Sequence, residues 1–322
     1  MPDLQLANPQ RILAVKTHAL GDVLMVTPAL KALRQRFPHA HIEFLTGKWS
    51  APALNNNPYI DELINIDDQG LHSRNLRFLL GLIKELRSRK FDLAVVFQPS
   101  WAVQVLIRLA GVRQIAAPVT RRFSFPVTSR SAWRESRERY VVEDFLDVVR
   151  AVGADGDDPD LVYCLDPAIE SAANELMQKL GISQGSFVMM FPGGGRNPRD
   201  YVRQKIWPVE RFDALAQQLV ELGVSVVLAG NEADRETASM ISQHSLIHNI
   251  TGETNLELAA GLISKSRFAI TNDSAPVHIA LALETPFVVL FGPSRRTALL
   301  PKRARFIALE ADFPCAPCYD NE

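Results

Sequence analysis

Short runs of Val, Ile, Leu and Phe alternate along the chain with longer segments whose apolar positions recur at helical spacing, the pattern of a parallel sheet covered on both faces. Arg11 to Val15, His41 to Thr46, Glu62 to Ile66 and Asp92 to Phe97 read as strands, with helices filling the gaps. Val23, Val26, Leu30 and Leu33 form one stripe of a helix from Val23 to Phe37, and Pro38 stands just past its end. After a loop rich in Asp, Gly and Pro from Gly153 to Pro159, a second series of strands follows: Ser186 to Phe191, Val224 to Ala229, Arg267 to Thr271 and Phe287 to Phe291. The pattern predicts an α/β protein of two doubly wound, Rossmann-like domains facing an interdomain cleft. The expected domains are residues 1–165 and 166–322, with Pro167 and the helix after it as the linker. No sequence repeat relates the halves, so their similarity is one of architecture.

Composition agrees with two ordinary globular domains: 322 residues, 47% hydrophobic and 22% charged. With 35 Lys+Arg against 36 Asp+Glu and a formal net charge of -1, the chain as a whole attracts neither nucleic acid nor membrane, and electrostatic recognition falls to local patches. No run approaches the ~18–20 apolar residues of a membrane span, and Met1 to Gln10 lack the pattern of a signal peptide, which predicts a cytoplasmic protein. Three cysteines, Cys164, Cys315 and Cys318, are too few for a disulfide framework.

Three loops at strand ends carry candidate chemistry. After the first strand, Lys16-Thr17-His18-Ala19-Leu20-Gly21-Asp22 leads into a helix, where Asp22 is either a helix cap or a carboxylate at the mouth of the cleft. The loop lacks G-x-G-x-x-G, which argues against a dinucleotide-dependent oxidoreductase. In the second half Phe191-Pro192-Gly193-Gly194-Gly195-Arg196 follows a strand, where glycines let backbone N–H groups approach an anion. Lys205 precedes Trp207-Pro208 and the helix that Pro208 opens, a place favourable to an anionic ligand. A flexible glycine loop followed by a solvated lysine is the alternative. Finally, Asp273 and Ser274 are placed to cap a short helix and turn its N–H groups, including that of Ala275, toward a diphosphate. His278 lies about one turn inside, where a core histidine is the alternative to a catalyst, and Gly292 follows the next strand.

The stretches ALGDVLMVTPALKALRQRFP, FPGGG…KIWPVERF…LAGNE and NDSAPVHIALALETPFVVLFGPS, in this order, resemble the ADP-heptose:lipopolysaccharide heptosyltransferases of glycosyltransferase family 9. The resemblance runs from about Arg11 to Tyr319 and implies a GT-B fold with acceptor bound by the first domain and nucleotide-sugar by the second. It also implies inverting transfer of heptose from ADP-heptose to a hydroxyl, most directly of the lipopolysaccharide inner core, with no metal and no cofactor. Asp22 matches the family's catalytic carboxylate and Lys205 the lysine before W-P that faces the leaving diphosphate. Gly193, Gly194, Asp273, Ser274, Ala275, His278 and Gly292 fall on the donor side. Ala275 stands where the family has Gly, which restricts the approach of backbone to donor. Glu232 is the residue expected to hold a ribose, with Asp234 as the alternative.

Under the same resemblance His18 and the arginines Arg121, Arg122, Arg130 and Arg134 read as the hold on an anionic acceptor such as a phosphorylated glycolipid. Arg137 and Arg139 belong to this patch, which is interleaved with Phe123, Phe125 and Trp133 and is not expected to form a buried strand. A solvated loop or an RNA-binding surface would have the same composition, and nucleic acid is not expected as a partner. Arg74 to Lys90 is a basic amphipathic helix that either meets anionic lipid of the inner membrane or packs its Leu stripe on the sheet. Cys315 and Cys318 are two ligands of the four a structural metal needs, and read as free thiols. A non-catalytic nucleotide-sugar binder, an epimerase that needs no acceptor, and a transferase with a protein or small-molecule acceptor are the competing readings.

Overall fold

The computed structural model describes residues 8–67, 70, 75–119, 125–132, 139–194, 201–302 and 305–310. The chain divides into two compact units, Met1–Val162 and Tyr163–Glu322. In the first, β1 (Arg11–Val15), β2 (His41–Gly47), β3 (Glu62–Ile66), β4 (Leu93–Val96), β5 (Gln114–Val119) and β6 (Ser129–Ala132) form one parallel sheet in the order β3-β2-β1-β4-β5-β6. In the second, β7 (Phe187–Phe191), β8 (Ser225–Leu228), β9 (Ile247–Asn249), β10 (Phe268–Asn272), β11 (Phe287–Phe291) and β12 (Phe306–Glu310) repeat that topology as β12-β11-β10-β7-β8-β9. Apart from Arg11 at the start of β1, the central strands β1, β4 and β7 are apolar and buried because helices cover both faces. In each sheet the order reverses once, between β1 and β4 and between β7 and β10, and ligands of such folds bind outside the carboxyl ends at that point.

On one face of the first sheet, α3 (Leu76–Arg89) and α4 (Trp101–Leu109) bury Leu82, Leu86 and Ile107 against Leu13, Val15, Ala94 and Val96. The helix expected over Val23 to Phe37 is two helices, α1 (Leu20–Met25) and α2 (Thr27–Arg36). Pro28 has no N–H to give to the carbonyl of Leu24, and the Thr27 hydroxyl donates to it instead at 2.7 Å. α2 packs on α5 (Val141–Arg150).

Four strands lack the apolar runs by which the others are read. β6 lies inside the arginine-rich segment, where no buried strand was expected, and it is an edge strand: it pairs with β5 alone, so Arg130 points to solvent while Ser131 is buried. β9 and β12 are edge strands with exposed residues, and β5 is interrupted by Pro118. The expected linker helix, α6 (Pro167–Leu180), belongs to the second unit, where it packs so closely on α9 (Leu256–Lys265) that a Cβ on Gly261 would lie 3.1 Å from that of Ala173.

Glu43, fully buried on β2, is neutralised by Arg11 and Arg89, and Arg89 also meets Glu62 at 2.6 Å. Among the described residues His41, Glu43 and Glu62 bring ligand atoms within 4.8 Å of one another, but the two guanidiniums already balance Glu43.

Acid stability follows from two other carboxylates of this unit. Burial alone would raise the pKa of Asp61, but the N–H of Ile42 at 2.7 Å and the guanidinium of Arg34 at 2.6 Å hold it below 3.8. Asp147 is likewise opposed by burial and held down by Arg139 and Arg150. Both folded values lie below the unfolded ones, so this stabilisation is complete above about pH 4 and is lost as pH falls through the folded values. Urea unfolding followed from pH 7 to pH 2 is expected to show the loss beginning below about pH 4, and Asp147→Asn to cost about 1–2 kcal/mol at pH 7 and make the decline shallower.

Candidate active site

β1 ends in two buried polar residues, Lys16 and Thr17. The Thr17 N–H donates to Oε1 of Gln98, just past β4, at 2.9 Å, and the hydroxyl and amide pair again at 3.1 Å, so the switch point of this sheet is bridged by side chains. Lys16 donates from Nζ to Oδ2 of Asp22 at 2.8 Å and to the carbonyl of His18 at 3.1 Å. Asp22 is no helix cap, because α1 is preceded by Ala19 with no side-chain capping bond, and Asp22 lies in its first turn. Ala19 takes φ 63°, a left-handed conformation that costs a non-glycine residue and folds the loop back over Lys16. The ammonium is 5% exposed and the carboxylate 40%, so a buried lysine holds an accessible acid. His18 is half-buried, its Nδ1 3.0 Å from the Thr17 hydroxyl.

The second unit has the same construction with the charges exchanged. Asn272, fully buried at the end of β10, donates to the carbonyls of Gly193 at 2.8 Å and Pro192 at 3.3 Å beyond β7, and accepts from the N–H of Trp207 at 3.0 Å. Asp273 is 3% exposed. Its Oδ2 accepts from Nζ of Lys205 at 2.8 Å and from the Ser294 hydroxyl at 2.5 Å. The Lys205 side chain is 22% exposed, so here a buried carboxylate holds the more accessible ammonium. Asp273, which Lys205 meets, directly precedes Ser274 and the start of α10 (Ala275–Ala282), and the helix opened after Pro208 is α7 (Val209–Glu221).

Neither Asp273 nor Ser274 caps α10 through its side chain: Asp273 is engaged by Lys205 and Ser294, while the Ser274 hydroxyl lies 3.3 Å from the Asn272 carbonyl and from Thr271 Oγ1. Ala275 opens α10, and His278 is buried on it. Gly194, at φ 108°, leaves room for Ser274, whose Cβ would be 3.2 Å from a Cβ there. Gly292 lies against Gln204: any Cβ would collide with that carbonyl and displace the turn Arg203–Lys205.

The two candidate ribose carboxylates separate cleanly. Asp234 accepts from the N–H groups of Gly194 at 3.1 Å and Asn231 at 3.0 Å and is buried, so it fastens the β7 loop to the β8 loop. The Glu232 side chain is 77% exposed and pairs at 2.8 Å with Arg235, the first residue of α8 (Arg235–Ser239). Of the arginine patch, Arg130 is exposed on β6, while Arg139 is turned onto Glu143, Asp144 and Asp147 and takes no part. Arg121, Arg122 and Arg134 lie outside the described residues, as do Phe123, Trp133, Arg137, Cys315 and Cys318.

Residues 79–322 match the family model of glycosyltransferase family 9 (heptosyltransferase). The chain belongs to this family. It is 28% identical over 313 residues to lipopolysaccharide heptosyltransferase 2 of Escherichia coli K12, covering 93% of this chain and 88% of that one. It is 29% identical over 288 residues to an Escherichia coli lipopolysaccharide heptosyltransferase 3, covering 84% and 80%. Its structure superposes on the family 9 glycosyl transferase of Veillonella parvula with a TM-score of 0.83 at 25% identity, over 97% of this chain and 91% of the other. It shares the fold of Escherichia coli heptosyltransferase WaaC bound to ADP-2-deoxy-2-fluoro heptose, with a TM-score of 0.74 at 18% identity over 94% and 93%. The architecture of this family 9 glycosyltransferase is thus GT-B.

Lys16, Gln98, Asn272 and Ser294 had no assigned role in the sequence reading. The signal available for Lys16 and Asn272 was a polar residue directly continuing an apolar strand, which must find a partner when buried. Asp234→Ala is expected to lower stability by about 2–3 kcal/mol, since two backbone N–H groups lose their acceptor, whereas Glu232→Ala leaves the urea midpoint unchanged.

Proposed function

We propose that this family 9 glycosyltransferase moves heptose from ADP-heptose to a hydroxyl of the lipopolysaccharide inner core, with inversion and without a metal or cofactor. The observation that carries this reading is the pair of ion pairs at the two sheet ends, each with its reactive partner outward: a carboxylate in the first unit and an ammonium in the second. Relatives named lipopolysaccharide heptosyltransferases, and a shared fold with a heptosyltransferase solved with a fluorinated ADP-heptose, support the donor and the acceptor class.

In this mechanism the acceptor belongs to the first unit and the donor to the second. Asp22 takes the proton of the acceptor hydroxyl as its oxygen bonds to the anomeric carbon, on the face opposite the diphosphate. The bond from that carbon to the diphosphate oxygen breaks, and its electron pair leaves on ADP. Lys205 and the N–H groups of Ser274 and Ala275 stabilise the charge that develops there. Asp273 sets the place of the ammonium, and Gly193, Gly194 and Gly292 are assigned to the donor side, where the lack of a side chain lets Asp234, Ser274 and Gln204 pack against the loops. Glu232 is assigned to the ribose, and His278 supports the donor segment from within α10. His18, Arg121, Arg122, Arg130 and Arg134 are assigned to an anionic acceptor. Among the described residues no helix is long and apolar enough to cross a membrane. The relatives' lipopolysaccharide acceptor supports placing the enzyme in the cytoplasm, meeting a lipid-anchored acceptor peripherally at the inner membrane.

Calorimetry in the presence of a chelator is expected to show ADP-heptose bound in preference to the UDP- and GDP-linked sugars. Lys205→Ala should weaken that binding and slow transfer by about 10²–10³-fold. Asp22→Asn should lower kcat by about 10²–10⁴-fold while leaving donor affinity within about twofold. Retention of full transfer by Asp22→Asn would remove it as the base. Lys16→Met is expected to lower kcat and alter its pH profile with donor affinity unchanged, which distinguishes a positioning residue from a structural one.

A further inference from the structure

α3 leads from β3 across the sheet to β4 and α4 from β4 to the neighbouring β5, both on one sheet face, so they run side by side in the same direction, and Arg87 Nη2 donates to the Leu109 carbonyl at 2.5 Å where they end. Their inward stripes are accounted for by Leu82, Leu86 and Ile107 in the core. Both helices also expose large apolar side chains: Leu76 and Leu80, one turn apart at the start of α3, are 70% and 60% exposed, and Trp101 and Leu109, at the two ends of α4, are 51% and 54% exposed. Adjacent exposed apolar side chains of this size mark an interaction surface rather than scattered surface residues.

The charge around them states the partner. Between residues 76 and 109 the sequence carries six cations and two carboxylates, in a chain whose formal net charge is -1. Arg89 is taken by Glu43, Glu62 and Glu85, and Arg87 and Arg108 reach backbone carbonyls, so the exposed cations of this face are led by Arg77, Lys84 and Lys90. A protruding Trp and Leu pair flanked by Lys and Arg suits the interface of an anionic bilayer, where the ring and aliphatic side chains enter the headgroup region and the cations meet lipid phosphates. The N-terminal ends of α3 and α4, which bear Leu76, Leu80 and Trp101, follow β3 and β4, so they lie at the same end of the sheet as Asp22.

We propose that the outer face of α3 and α4, led by Leu76, Leu80 and Trp101, docks this unit on an anionic lipid bilayer. The assignment deepens the proposed use of a lipid-anchored acceptor: it names the surface that meets the membrane, and it sets the acceptor end of the sheet near the lipid headgroups.

The test is flotation of the full chain with vesicles of phosphatidylcholine alone or with about one third phosphatidylglycerol, alongside transfer assays on a deacylated, soluble acceptor and on the same acceptor embedded in vesicles. The wild type should float with the anionic vesicles, and less so at high salt. Leu80→Ser with Trp101→Ser should weaken this by about tenfold or more, and Arg77→Glu with Lys84→Glu should abolish the preference for anionic lipid. All four sites are exposed, so thermal midpoints should stay at the wild-type value, and transfer to the soluble acceptor should be unchanged while transfer to the embedded one falls. Brominated lipids should quench wild-type fluorescence more than that of Trp101→Phe. Absence of vesicle binding, binding undiminished in the variants, or a dimer that buries this face without binding lipid would overturn the assignment. Vesicle binding with no transfer to either acceptor would uphold the docking surface and count against the transferase reading.

Discussion

A strand that ends between two layers of helices leaves its last polar groups without water, and at both switch points of this protein a single side-chain amide meets that demand. Gln98 ties the end of β4 to Thr17 beyond β1, and Asn272 ties the end of β10 to Gly193 beyond β7. Each amide uses both donor and acceptor, so each holds a loop in one place rather than merely filling space. The positions of Asp22, Lys205 and the glycine turn all follow from these two bridges. Asn272 also accepts from Trp207, through which it reaches the segment that carries Lys205.

Once the loops are held, charge is presented by pairing a buried ion with an accessible one. Burying either ion alone would be costly, and each pair removes that cost within its own unit. The asymmetry gives the pairs their chemical meaning. In the first unit the carboxylate is outward, suited to accepting a proton, and in the second the ammonium is outward, suited to receiving a diphosphate. The same device built on the same topology yields a base and an electrostatic stabiliser by exchanging which member is buried.

The sequence was most informative where one physical signal dominated. Central strands with unbroken apolar runs, such as Ile12–Val15 and Phe287–Phe291, were legible because burial on both faces excludes polar residues from them. Edge strands were not: β6 and β9 carry Arg130 and His248 because one side or one face meets solvent, and local pattern cannot separate them from loops. The split between α1 and α2 was written in Pro28, but its consequence depended on the Thr27 hydroxyl taking the carbonyl that Pro28 leaves. In the site, the resemblance singled out Asp22, Lys205 and Asp273 by position, whereas the pairing of Asp273 with Lys205 and Ser294 joins residues far apart in the chain.

By itself, then, the sequence determined the alternation of strand and helix, the two-part organisation and the family, because these rest on hydrophobic period and on local runs of residues. Which carboxylate is structural and which is available was decided only by tertiary structure. Asp234 and Glu232 are two residues apart and alike in charge, yet one is enclosed by the N–H groups of Gly194 and Asn231 while the other stands in solvent with Arg235. A side chain's chemistry depends on the groups that surround it, and those arrive from distant parts of the chain only when the sheet has assembled.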